Sequence, residues 1–274
     1  TYITDTKKEN DLIVHFVDEL PEDPNASFKA AVNSVDRKST ALNHSATHIL
    51  HAVLRDVLGD HVEQKGSLVN SDSLRFDFSH FSKVSDEELV QIEATVNAQI
   101  RANLTLDEQG NIPINSAKEM GAMALFGEKY GDLVRVITFD KEFSVELCGG
   151  THVSATGDIG LMKITSEGSV AAGIRRIEAV TGENAFRELN SAYNQVGELK
   201  GLLKTKDPLK SVQQLQAQVK DLQQKIEGFN AKAASGLKEE LLTKAVDKGG
   251  YKLITERIAL DDSSAIKNLC FDLK

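Results

Sequence analysis

Little in this sequence can staple a fold together or cross a membrane. Only two of its 274 residues are cysteine, Cys148 and Cys270, and they lie far apart. A disulfide framework is therefore excluded as the source of stability. No stretch of apolar residues approaches the length of a membrane span, so no membrane partner is expected. The first residues, Thr1-Tyr2-Ile3-Thr4-Asp5, hold no initiating methionine and no signal-peptide pattern. The expectation is an internal piece of a cytoplasmic protein. Basic residues are also in deficit, at 32 Lys and Arg against 41 Asp and Glu, a net charge of -9. That argues against a generic nucleic-acid binder, whose phosphate contacts need a basic surface, but allows a local basic track.

What is present is ordinary for a soluble globular chain: 41% hydrophobic and 27% charged residues. The length allows one large domain or two modest ones. Residues 1–40 read as short strands, Leu12–Val17 being a β-rich run and Phe28–Val35 a weak alternation. Helical spacing of Ala46, Ile49, Leu50, Val53, Leu54 and Val57 predicts a helix over Ser39–Leu58 that stops at Gly59. Strands are expected at Gln64–Val69 and Ser73–Phe78. Ser85-Asp86-Glu87-Glu88 has the form of a helix N-cap opening a helix with Ile92, Val96 and Ile100. Lys118–Phe126 reads as a short helix closed by Gly127. Strands are then expected at Leu133–Phe139, Phe143–Leu147, Ile159–Ser166 and Ile174–Val180. Without a regular βαβ repeat, the class is α+β: a mixed sheet with helices.

Strand signals vanish after about residue 183. Val212, Leu215, Val219, Leu222, Ile226 and Phe229 form an a/d seam. With Pro208 breaking an earlier stretch (Leu189, Val196, Leu199, Leu203), this predicts an antiparallel coiled-coil hairpin turning near Lys204–Pro208. A solvated helical linker is the alternative. A strand at Tyr251–Glu256 and a helix at Ser263–Leu273 follow. The expected domains are 1–38, the tail of a preceding β-rich domain; 39–184, the main domain; 185–247, the helical arm; and 248–274, the start of a C-terminal domain.

His44 and His48, four apart on the predicted helix, share one face and can bind one divalent ion. Alone, they would more often be two polar helix residues. Cys148 and His152 bracket Gly149-Gly150-Thr151 at a strand end, where glycine lets thiolate and imidazole converge. Three nitrogens and one sulfur suit a single zinc ion. Its ligands lie about a hundred residues apart, which fits a cleft better than a structural zinc finger. Whether the metal is catalytic or only positions substrate stays open. His51, a turn further on, is easily mistaken for a ligand. Ser45-Ala46-Thr47 puts no Glu after the first His, so a zinc peptidase is a poor reading.

Asn43-His44-Ser45-Ala46-Thr47-His48 and Cys148-Gly149-Gly150-Thr151-His152 together resemble the editing domain of alanyl-tRNA synthetases. Gln64-Lys65-Gly66-Ser67, Leu74–Phe78, Gly121–Tyr130 and Gly173–Val180 are similar to that family's motifs in order, so the resemblance is strong over about residues 25–185. It implies hydrolysis of seryl- or glycyl-tRNA(Ala), with tRNA(Ala) bound by its acceptor end. An alanine pocket cannot exclude glycine by size, and tolerates serine, so a second site must discriminate. The resemblance makes Gln64 and Thr47 the residues that hold the amino acid and water. It makes Arg75, Asp77, Arg175 and Arg176 candidates at the acceptor end, with salt bridges to Asp77 or Glu178 the alternative for the arginines. Zinc would sit on His44, His48, Cys148 and His152. ATP and magnesium belong only to an aminoacylation domain preceding Thr1, and a homodimer through a further C-terminal region is left open. Competing readings are a free-standing tRNA deacylase and a non-catalytic zinc module that binds tRNA or a partner.

Overall fold

A computed structural model describes residues 1–10, 12–123, 130–260 and 263–274. The chain divides into two compact units, Thr1–Glu188 and Leu189–Lys274.

The first unit opens with β1 (Ile3–Glu9) and β2 (Leu12–Val17), an exposed antiparallel hairpin. The weak alternation at Phe28–Val35 makes no strand: residues 27–33 are irregular. α1 (Ser34–Leu58) starts a turn before the expected Ser39, because Asn33 caps it: its side-chain oxygen accepts from the Val35 and Asp36 amides. Asp36 in the first turn and Arg55 in the last suit the helix dipole. Gly59 ends the helix at φ 113°, a conformation open to glycine.

β3 (Gln64–Val69) and β4 (Leu74–Ser79) form a hairpin. α2 (Asp86–Arg101) follows, opened by a capping box in which Ser85 and Glu88 bond each other's backbone. Next come β5 (Asp107–Pro113), α3 (Ile114–Glu119), β6 (Leu133–Asp140), β7 (Ser144–Leu147), β8 (Met162–Ala171) and β9 (Ile174–Thr181). The expected helix Lys118–Phe126 is displaced: α3 ends at Glu119, and Gly121 turns the chain at φ 83°. Met123 bridges Glu146, and residues 124–129 lie outside the described residues. The strand expected from Ile159 starts at Met162, since Thr156–Ile159 is a 3-10 turn.

The sheet is not a single mixed one. Two antiparallel sheets form, β3-β4-β9-β8 and β5-β6-β7. β4 turns Leu74, Phe76 and Phe78 onto the helices, where they meet Ile49, Leu50, Val53 and Leu54 of α1 and Ile92 and Val96 of α2. Truncating such a buried aromatic costs about 3–5 kcal/mol. Asn97 ties α2 to β8: its amide accepts from Met162 N at 2.9 Å and donates to Met162 O at 2.8 Å.

α4 (Gly182–Leu202) leaves β9 and runs into the second unit, where α5 (Pro208–Thr243) begins with Pro208 in its first turn and Asp207 as cap. The seam residues from Leu189 to Phe229 are exposed apart from half-buried Leu203, so no hairpin core is closed along them. β10 (Val246–Asp247) and β11 (Lys252–Leu253) make a minimal hairpin, shorter than the expected Tyr251–Glu256 strand. α6 (Ser263–Asp272) packs on α5. Among the described residues no helix is long and apolar enough to cross a membrane.

Candidate metal centre

α1 carries His44, Thr47, His48 and His51 on one face, at the three- and four-residue spacings of a helix. β7 delivers Cys148 from the small sheet to that face, and the following loop returns His152. The four ligand atoms of His44, His48, Cys148 and His152 lie within 4.8 Å of one another. Cys148 Sγ is 3.5 Å from His44 Nε2 and 3.4 Å from His152 Nε2. A tetrahedral zinc on nitrogen and sulfur asks for edges of about 3.5 Å.

Each imidazole is held by its other nitrogen. His44 Nδ1 is 3.2 Å from Thr151 O, and His152 Nδ1 is 3.1 Å from Ser45 Oγ, which also accepts from Val153 N. His48 Nδ1 meets Glu146 Oε2 at 2.7 Å. All three Nε2 atoms are left for a metal, an orientation set by outer partners. The donor set and this tethering fit zinc.

The Cys148 loop is clamped from below. Arg135 donates to the carbonyls of Cys148 and Gly150 while forming a two-bond pair with Glu108. Gly150 passes so near His44 that a Cβ there would overlap the ring. Burial opposes charge on Cys148 and His48, yet each is the other's counter-ion. Three histidines pull the Cys148 thiol down to about 3. Glu146 and Cys148 push His48 up to about 10. Glu146, though buried, is held well below the usual carboxylate range by His48 and His51.

A cleft of about 410 Å³ opens beside this group, lined by Thr47, Gln64, Ser67 and Phe76 as well as by ligands. Thr47 Oγ donates to Asn43 O at 2.8 Å, so what it offers the cleft is lone pairs. Gln64, half-buried, starts β3. The arginines are elsewhere engaged. Arg176 forms a two-bond pair with Asp77 at 2.6 and 2.8 Å. Arg175 does the same with Glu167, not Glu178. Arg75 Nε stands 3.9 Å from Asp77. None of these four lines the cleft. Glu146 was missed by the sequence reading, although it lies two residues from Cys148 on the same strand face.

Comparison with known proteins fits this geometry. A family model described as "Threonyl and Alanyl tRNA synthetase second additional domain" matches residues 134–178, a stretch that includes Glu146, Cys148 and His152. The chain is 48% identical over 273 residues to an alanine--tRNA ligase of Cytophaga hutchinsonii, covering 99% of this chain and 31% of that protein. It is 50% identical over 273 residues to one of Bacteroides fragilis, with the same 99% and 31% coverage. One of Flavobacterium psychrophilum is 53% identical over 263 residues, covering 96% and 29%. The chain thus spans about a third of the length of these curated relatives.

Proposed function

Since this chain is homologous to alanine--tRNA ligases along nearly all of its length, we propose that it hydrolyses the ester of seryl- or glycyl-tRNA(Ala) at a zinc-organised cleft. In a protein of the relatives' full length this would accompany ATP-dependent joining of alanine to tRNA. The observation that carries the reading is one cleft with His44, His48 and Cys148 along one wall and the polar groups of Thr47 and Gln64 beside them.

Zinc, when bound, supplies a fixed positive charge. It would be held by His44, His48, Cys148 and His152, and its charge beside the cleft would help orient the terminal adenosine of tRNA or water. The chain's own residues do the rest. Thr47, whose proton is committed to Asn43 O, accepts from the hydroxyl of a seryl group or from water. Gln64 can both donate and accept, so it can hold the same hydroxyl from the other side. Cys148 serves as a thiolate ligand, and among the described residues no hydrogen bond joins the one serine lining the cleft, Ser67, to a base that would activate it. Water therefore attacks the ester carbonyl directly. Arg75 remains the best of the arginine candidates for phosphate, since it lacks the two-bond pairing of Arg175 and Arg176.

The test is hydrolysis of seryl-tRNA(Ala) and alanyl-tRNA(Ala) by the zinc-loaded chain, with Cys148→Ala alongside. We expect selective loss of the seryl ester, abolished in Cys148→Ala. A folded, zinc-loaded chain that leaves seryl-tRNA(Ala) at the buffer rate would sink the proposal and favour a non-catalytic tRNA-binding module.

A further inference from the structure

His51 is a buried histidine that the metal group does not use. It lies at the cleft, two helical turns from His44 on the same face of α1, and is 2% exposed. Its Nδ1 faces Glu146 Oε1 at 3.4 Å, and its ring leans on Phe76 with centroids 5.2 Å apart. Both of its ring nitrogens are buried, and neither has a hydrogen-bond partner among the described residues; Nδ1 at least has the carboxylate within reach, while Nε2 has nothing. A buried ring nitrogen left unpaired costs stability, so an orphan of this kind in a cleft calls for a ligand.

Glu146 limits what that ligand can be. A carboxylate can only accept, and it stands 3.4 Å from Nδ1; a neutral ring with its hydrogen on that side presents a lone pair at Nε2. Thr47 Oγ, its hydrogen given to Asn43 O, presents lone pairs as well. The cleft thus offers two acceptors, one of them backed by a buried carboxylate. Among the described residues lining it, none is Lys or Arg. A hydroxyl has one hydrogen and can serve only one acceptor. A primary ammonium has three and carries the charge that Glu146 favours.

We propose that His51 Nε2 accepts a hydrogen bond from the α-ammonium of the aminoacyl ester, making it a substrate-binding residue that reads the one group all free aminoacyl esters share. This rests on the hydrolase reading above, and leaves discrimination of the serine hydroxyl to Thr47 and Gln64.

The probe is 3′-serylamino-3′-deoxyadenosine, an amide that is not an ester substrate, compared with its N-acetyl derivative. Binding of each to the zinc-loaded chain is followed by calorimetry. The wild-type chain should prefer the free amine by about 10- to 100-fold, the range of one hydrogen bond to a charged group. His51→Leu should lose that preference while keeping one zinc. His51→Gln, which retains an acceptor, should recover part of it. The glycyl analogue should behave as the seryl one does. A wild-type chain indifferent to acetylation overturns the inference, as does an undiminished preference in His51→Leu. Should that variant fail to fold, a full preference in wild type that falls in His51→Gln still supports it, and no change in His51→Gln or a loss confined to the seryl analogue counts against it. Because binding is read without turnover, preference for the amine in a chain that hydrolyses nothing would sink the hydrolase reading alone.

Discussion

Glu146 meets two histidines at once, His48 at 2.7 Å and His51 at 3.4 Å, in a pocket where it is 4% exposed. Its removal should be felt first in metal binding. Glu146→Gln keeps the shape but deprives His48 of the carboxylate that orients it and raises its basicity. We expect zinc affinity, measured by chelator competition, to fall about 10- to 100-fold. Unchanged affinity would mean that helix packing alone orients His48. The same residue sets a pH dependence. His48 is raised from 6.5 to about 10, so in the metal-free chain it holds a proton at neutral pH. That protonated pair stabilises the metal-free fold and is lost as pH rises through about 10. Cys148, lowered to about 3, is already a thiolate. Zinc binding would therefore displace one proton, from His48, and none from Cys148. Calorimetry in buffers of differing ionisation enthalpy should find about one proton released per zinc near pH 7, and affinity rising about tenfold per pH unit toward pH 9. Release of two protons would show that Cys148 is a thiol in the free chain.

The elements around the site are joined by single side chains as much as by apolar surface. Asn97 is the clearest case, because its amide closes two hydrogen bonds to Met162 and so locks α2 onto the first residue of β8. Asn97→Ala leaves both backbone groups of Met162 unpaired in a buried place. We expect a loss of about 2–4 kcal/mol in urea denaturation, from two orphaned groups and their shared anchor. A loss below about 1 kcal/mol would show that water replaces the amide. Thr156 plays a similar part nearby, its hydroxyl accepting from Leu104 N and donating to Gln99 O. α1 has its own independent signals, the Asn33 cap and the Gly59 stop, which let it form with its ligand-bearing face already in register.

At the scale of the whole chain, periodicity and punctuation were readable and side-chain company was not. Helical spacing around Ile49 and Leu50, the Ser85 cap and the run Leu133–Phe139 all correspond to elements in the structure. The two pairs, His44 with His48 and Cys148 with His152, come together as a group able to hold a metal. The apolar spacing begins only after Ser39, while the start of α1 at Ser34 is set by the Asn33 cap, a signal outside that spacing. The apolar residues of Lys118–Phe126 are spaced for a helix, but within its described part, up to residue 123, Gly121 and the Met123–Glu146 bridge end one. Glu146, a charged residue inside the expected strand Phe143–Leu147, carries no local signal of burial. Strand parity with Cys148 would have placed it on the ligand side. The pairing of Arg175 with Glu167 depended on the turn of the β8–β9 hairpin, whose register no local pattern announced.

The candidate ligands sit far apart along the chain. His44 and Cys148 are 104 residues apart. Bringing such distant points together in an unfolded polymer costs about 4 kcal/mol of closure entropy, and a constant beyond that. An unfolded chain therefore offers zinc only half a site at a time, either two imidazoles or one thiolate with one imidazole. The ion would bind the native state far better than the denatured one, so nearly all of its binding energy adds to stability. Zinc would then act as a thermodynamic clasp whose grip tracks its own free concentration, firm where the metal is plentiful and slack under a chelator.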